Sequence, residues 1–209
     1  MTIAGFLRFA CVALTLVMLG GCTDPDEERL MKQQREFDQL MQRPDLHEAI
    51  AHYDKIARRV RDALAAEFDL PAWKKSRRYD RGPEDCGFGP FENVKGWDAG
   101  DYSLGRWYTD AVIQKDRWPN AIGVLRRIAG QHGFDEVTLE VDQGGLRMFE
   151  LADRWGAKLV MRTEEDAMLR AVTGCHLEPD AKRHGKPRDW KPRETGPLGP
   201  DPIIPDRSG

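Results

Sequence analysis

Serine is scarce in this chain: three occur in 209 residues, Ser76, Ser103 and Ser208. None lies in a Gly-x-Ser-x-Gly turn, so the nucleophile elbow of a serine hydrolase is excluded. A glycine-rich loop leading into Lys and Ser or Thr is also lacking, which removes the phosphate-cradling P-loop. Gly144-Gly145 reads instead as a hairpin turn. Basic excess is missing too. Lys and Arg total 32 against 35 Asp and Glu, for a net charge of −3, and a nucleic-acid binder needs surplus cations to displace counterions from phosphate. Nucleic acid is therefore not an expected partner. Histidines number five. His47 and His52 share a helix, but a step of five turns them about 140° apart, where a helical zinc site needs a step of four. His132, His176 and His184 are scattered. Carboxylates could be paired as Glu140 with Asp142 on one strand, or within Glu164-Glu165-Asp166, but surface and turn solvation accounts for both sets. No catalytic residue, no metal ligand and no cofactor is assigned.

Long hydrophobic runs are also few. The longest spans residues 9–19, eleven residues interrupted only by Thr15, behind the single cation Arg8. That suits the core of an export signal and is short for crossing a hydrocarbon layer of about 30 Å. It runs into Leu19-Gly20-Gly21-Cys22, a lipobox pattern. Small residues at Gly20 and Gly21 let a signal peptidase reach the backbone, and the Cys22 thiol accepts a diacylglyceryl group as a thioether. Two acyl chains matter, because one gives only marginal membrane attachment. Residues 1–21 are thus a cleaved signal peptide and Cys22 the lipidated first residue of a chain on the extracytoplasmic face of the cell membrane. The competing reading is an uncleaved membrane anchor. Cleavage removes Arg8 and leaves a net charge of −4.

Of four cysteines, Cys11 leaves with the signal and Cys22 carries lipid. Cys86 and Cys175 remain. Outside the cytosol two such thiols pair as one disulfide, against the alternative of two buried free thiols. A loop of about 90 residues closed this way stabilises by roughly 4–5 kcal/mol in the chain-entropy model.

Residues 22–28 read as a lipidated, acidic tether. Leu30, Gln34, Phe37 and Met41 then recur at helical spacing. Asp45 with Glu48 is a capping box opening a second helix, whose stripe runs from Leu46 through Ile50, Tyr53, Ile56 and Val60 to Leu64. Ala72–Tyr79 reads as a strand, followed by a Gly/Pro-rich loop around Cys86, and Asp101–Thr109 as another strand. Trp118, Ile122, Leu125 and Ile128 mark a helix with Pro119 in its first turn and Gly133 past its end. Strands follow over Glu136–Asp142, with Val137, Leu139 and Val141 inward, then Leu146–Asp153, Ala157–Thr163 and Ala167–Thr173. The expected fold is α+β: two or three helices on one face of a mostly antiparallel sheet of about five strands, spanning residues 29–177. Residues 178–209 hold seven of the thirteen prolines and read as a disordered tail.

Two basic clusters suggest an anionic partner surface: Lys74, Lys75, Arg77, Arg78 and Arg81 beside Trp73 and Tyr79, and residues 182–193, with a local charge of +5. Clustered cations gain about 1 kcal/mol each near anionic headgroups. A charged edge strand and a solubilising tail are the bland alternatives. The tryptophans at 73, 97, 107, 118 and 155 read as core or rim, with a ligand groove lined by them as the alternative.

The lipobox, the helix ending near Trp73, Cys86 in a polar loop, the helix Trp118–Gln131 and the strands leading to Thr173-Gly174-Cys175 together resemble the LppA-type lipoproteins of mycobacteria and related actinobacteria. The resemblance implies a membrane lipoprotein with a cysteine pair, matched here by Cys86 and Cys175. It implies no reaction. The expectation is an anchored, non-catalytic binding or envelope accessory protein whose partners are membrane lipid, through Cys22, and a cell-wall polymer or envelope protein. The alternatives are an envelope polymer hydrolase with an unrecognised carboxylate pair, and a lipid carrier.

Overall fold

Asp45 opens the longest helix as its sequence pattern requires. Its carboxylate accepts from the Glu48 N–H at 2.9 Å, and the Glu48 side chain accepts from the Asp45 N–H at 3.0 Å. Two backbone donors that a helix start leaves orphaned are thereby satisfied. In the computed structural model, which describes residues 25–76, 84–86 and 89–188, this helix is α2 (Leu46–Phe68), preceded by α1 (Pro25–Met41). β1 (Lys74–Lys75), β2 (Glu84–Asp85), β3 (Ala99–Asp101) and β4 (Ser103–Thr109) lead to α3 (Trp118–Gly130). β5 (Phe134–Gln143), β6 (Leu146–Asp153), β7 (Lys158–Thr163), β8 (Ala167–Val172), β9 (His176–Leu177) and α4 (Pro179–His184) complete it.

The fold is α+β. A six-stranded antiparallel sheet has the order β1-β4-β8-β7-β6-β5, and a three-stranded one the order β2-β3-β9. The stripe Tyr53, Ile56, Val60 and Leu64 of α2 is buried against Leu159, Met161 and Leu169 of the sheet and Val124, Leu125 and Ile128 of α3. Each such side chain contributes roughly 1.5–3 kcal/mol by leaving water. The register sets the faces. Trp107, Leu169, Met161 and Phe149 are successive cross-strand partners on the helix side, and Arg61 of α2 lies 4.0 Å over the Trp107 ring. The neighbouring row, Arg106, Arg170, Val160 and Glu150, lies on the other face, because side chains alternate along a strand. No described helix covers that face by the main core's packing.

A second, smaller core gathers Phe37 and Leu40 of α1, Phe91, Leu177, Ala181 and Cys86. The Cys86–Cys175 disulfide, across a separation of 89 residues, lies at its edge. Glu36 is buried there and accepts from the backbone and side-chain nitrogens of Asn93 at 2.9 and 2.7 Å.

Several expectations are corrected. The acidic tether is shorter than residues 22–28: α1 starts at Pro25, and Asp26, Glu27 and Glu28 fill its first turn, where carboxylates complement the helix dipole. The domain also passes 177, since α4 buries Ala181 and the Arg188 guanidinium reaches the buried Asp98 at 2.7 Å. Of the expected strand Ala72–Tyr79, the described residues form β1 over Lys74–Lys75; residues 77–83 lie outside the described ones. Asp101–Thr109 divides at Tyr102. There the chain leaves the small sheet for the large one, and Tyr102 exchanges hydrogen bonds with Thr173. Finally, Val137, Leu139 and Val141 do not all point inward. A register shift between Val137 and Leu139 places Val137 opposite Leu151 but Leu139 opposite Glu150 and Val141 opposite Met148. One extra residue moves the remaining side chains to the other face. Val137 and Leu139 stay 41% and 38% exposed on the edge strand.

Candidate functional site

Cys22, with Leu19, Gly20 and Gly21, lies outside the described residues, as do Arg77, Arg78 and Arg81. Lys74 and Lys75 sit on β1 at the rim of the large sheet, paired in register with Tyr108 and Trp107. Lys74 forms an ion pair with Asp110, so part of that cluster's charge is met within the fold. Cys86 and Cys175 are joined. Glu140 lies on the exposed edge strand, and Asp142 sits 3.8 Å from Lys115. Glu164 and Asp166 flank Arg162 at 3.5 and 2.9 Å. Both carboxylate sets are surface and turn groups. No described helix is long and apolar enough to cross a membrane.

The structure assembles something the sequence did not announce. Tyr53, inside the α2 stripe, needs a partner for its hydroxyl once buried, and it donates to the Asp153 carboxylate at 2.6 Å. The other Asp153 oxygen accepts from the N–H groups of Trp155 and Ala157 at 2.8 and 2.9 Å, closing the β6–β7 turn. Arg43 donates to the carbonyls of Trp155 and Cys175 at 2.8 and 2.9 Å and lies over Phe91. His176 faces two carbonyls, Pro44 from Nδ1 at 2.9 Å and Thr173 from Nε2 at 3.0 Å. This knot ties the α1–α2 corner to the β6–β7 turn and to the disulfide strand. Burial, then the Asp153 bond, raises the Tyr53 pKa far above its usual value.

Beside the knot is a cleft of about 680 Å³ lined by His52, Tyr53, His132, Asp135, Asp153 and Trp155, among others. The rings of His52 and His132 meet edge to face at 5.5 Å. The tertiary fold brings them together although no spacing linked them. An Arg59 N–H donates to His132 Nε2 at 3.0 Å, so that nitrogen is engaged. Burial, then His52, Arg59 and Lys55, lowers the His132 pKa.

His176 has a pH consequence. Burial pulls its pKa below the ordinary histidine value, and the Pro44 and Thr173 carbonyls only partly offset this. The unfolded chain therefore takes up a proton more readily. Stability should be full above about pH 6.5 and fall as acidification passes through the folded value. Urea midpoints at pH 7.5 and 5 should differ more in the native protein than in His176→Gln; equal differences would contradict the assignment.

A second, concave basin of about 750 Å³, which shares Asp153, Arg154 and Trp155 with the cleft, runs from the open sheet face to the disulfide. Arg170, Val160, Glu150, Lys158 and Asp101 are in its lining. Lys158 pairs with Glu150 at 2.9 Å. Burial alone would raise the Glu150 carboxyl, but bonds from Thr138 and Lys158 hold it below its usual range. Burial, then its ladder partner Glu84, raises Asp101.

Among solved structures, the LppA protein of Mycobacterium tuberculosis is similar, with a TM-score of 0.61 at 15% identity over 76% of this chain and 95% of that one. A DUF4853 family protein from Actinomyces odontolyticus aligns at a TM-score of 0.45 and 16% identity, over 66% of this chain and 71% of that one. No curated protein matches the chain. The LppA family, described as a lipoprotein confined to pathogenic Mycobacterium, matches residues 23–179. The chain belongs to the LppA lipoprotein family.

Proposed function

We propose that the protein is held on the extracytoplasmic face of the cell membrane by a diacylglyceryl group on Cys22 and works by binding a cell-wall polymer or an envelope protein, not by catalysis. The observation that carries this reading is the open face of the six-stranded sheet. Antiparallel sheets often leave one face to water, but this one is concave and mixes Arg170, Lys158 and Glu150 with Val160 beside the disulfide. The buried polar groups next to the cleft favour binding over chemistry, since Asp153 and Tyr53 direct their hydrogen bonds at the fold itself.

The test has two arms. Cys22→Ala should abolish lipidation and leave residues 1–21 uncleaved, as seen by mass spectrometry; an unchanged acylated species would refute the anchor. A photo-crosslinker at Val160 should capture an envelope component that one at Ala51, on the exposed side of α2, does not. Equal capture at both would refute the binding face.

A hydrolase remains as a second reading because Asp101, raised in pKa, sits across the ladder from Glu84. Such a pairing can hold one proton for acid catalysis. Glycan cleavage by the purified protein that disappears in Asp101→Asn would favour it; no cleavage by the native chain would dismiss it.

A further inference from the structure

Both ends of the described chain border one groove. Arg29 and Leu30 of α1, Lys95 and Trp97 of the loop before β3, and Lys186 and Arg188 after α4 line a space of about 600 Å³. Leu30 is 59% and Trp97 42% exposed. Leu30 thus belongs to the apolar series of α1 without entering either core. Around these two side chains stand four cations. Arg29 faces Asp26 at 3.3 Å and Arg188 faces the buried Asp98 at 2.7 Å. Lys95 and Lys186 have no ion pair among the described residues.

The chain outside the structure says what this surface meets. Three residue steps separate Cys22 from Pro25, a reach of about 11 Å at most. Leu30 lies five helical steps further, about 7.5 Å along the axis. The headgroup layer of one leaflet is roughly 5–8 Å thick. A chain acylated at Cys22 therefore keeps the start of α1 within about 11 Å of the lipidated residue and Leu30 within about 19 Å, near enough for both to reach the headgroups. Large apolar side chains ringed by cations suit that layer, where tryptophan partitions and Lys and Arg meet lipid phosphates. Of the basic segment 182–193, Lys186 and Arg188 line this groove.

We infer that this groove face is a membrane-docking surface, with Trp97 and Leu30 entering the headgroup layer of an anionic leaflet and Lys95 and Lys186 on its phosphates. The inference rests on the Cys22 anchor proposed above. It orients the domain, placing the lipid side at the α1 start and leaving the sheet basin for a separate partner. Glu27 and Glu28 in the first turn of α1 oppose an anionic surface, so docking without the acyl chains is weak.

Two measurements test it. In the first, the lipidated protein is reconstituted in phosphatidylglycerol-rich vesicles whose acyl chains are brominated near the headgroup. Tryptophan emission should be quenched, and Trp97→Phe should remove most of the quenched signal; quenching unchanged by Trp97→Phe overturns the inference. In the second, the mature chain carrying Cys22→Ser partitions onto the same vesicles without an anchor. Adding Lys95→Gln and Lys186→Gln should weaken that partition about 30-fold, with little change on purely phosphatidylcholine vesicles. An unchanged partition on the anionic vesicles overturns it. Mass spectrometry of Cys22 stands apart from both: an unmodified thiol removes the anchor, whereas an acylated chain with unquenched Trp97 removes only the docking face.

Discussion

Asp153→Ala should destabilise the protein by about 3–5 kcal/mol, from the loss of partners for three buried or half-buried donors at once. The Tyr53 hydroxyl, the Trp155 N–H and the Ala157 N–H all end on this one carboxylate. Alanine leaves each donor desolvated, and an unmet buried donor costs about 1–3 kcal/mol. Tyr53→Phe removes one of the three contacts and keeps the ring in the core, so it should cost only about 1–2 kcal/mol. The double variant should be less destabilised than the sum of the two singles, because they share a bond. Urea titrations of the four proteins decide the matter. Asp153→Ala costing under about 1 kcal/mol would mean that water replaces the carboxylate and the knot is not structural.

Removing the disulfide should have an effect of similar size. Cys86→Ser, Cys175→Ser and the double variant should each lose about 2–5 kcal/mol, and all three by nearly the same amount, since either change opens the same loop. The loss should be felt first in the second core. That cluster has few large side chains, Phe37, Leu40, Phe91 and Leu177 among them, and little else to hold it. Hydrogen exchange should therefore quicken around Ala99 and Leu177 before it quickens in β7. Uniform quickening throughout the chain would show that the two cores unfold as one.

Local chemistry was legible in the sequence. The Asp45–Glu48 box, the α2 stripe, Pro119 in α3 and the Gly144-Gly145 hairpin all depend on neighbours within a few positions, and all are formed. What escaped depends on distant partners. β4 pairs with β8 across some sixty residues, and nothing near Trp107 specifies that. The register shift in β5 has no local signature in Val-Thr-Leu-Glu-Val, so alternation alone assigns Leu139 to the wrong face. Of the knot, only Tyr53 gave a hint, a hydroxyl placed in an otherwise apolar stripe. Asp153, Arg43 and His176 meet because three corners of the fold converge. The lipobox is the reverse case, a purely sequential signal outside the described residues.

Among the described residues, the edge strand β5 has no ladder partner on its outer side and shows Val137 and Leu139 to water. It also carries Asp135, Glu136, Glu140 and Asp142 and no cation. Copies confined to a bilayer would share one orientation and collide often in two dimensions. Two such borders approaching side by side bring these carboxylates together, of which only Asp142 has a cation among the described residues, Lys115 at 3.8 Å, and this penalises strand annealing between neighbours. That row of carboxylates is what would let a crowded leaflet hold this domain as separate units.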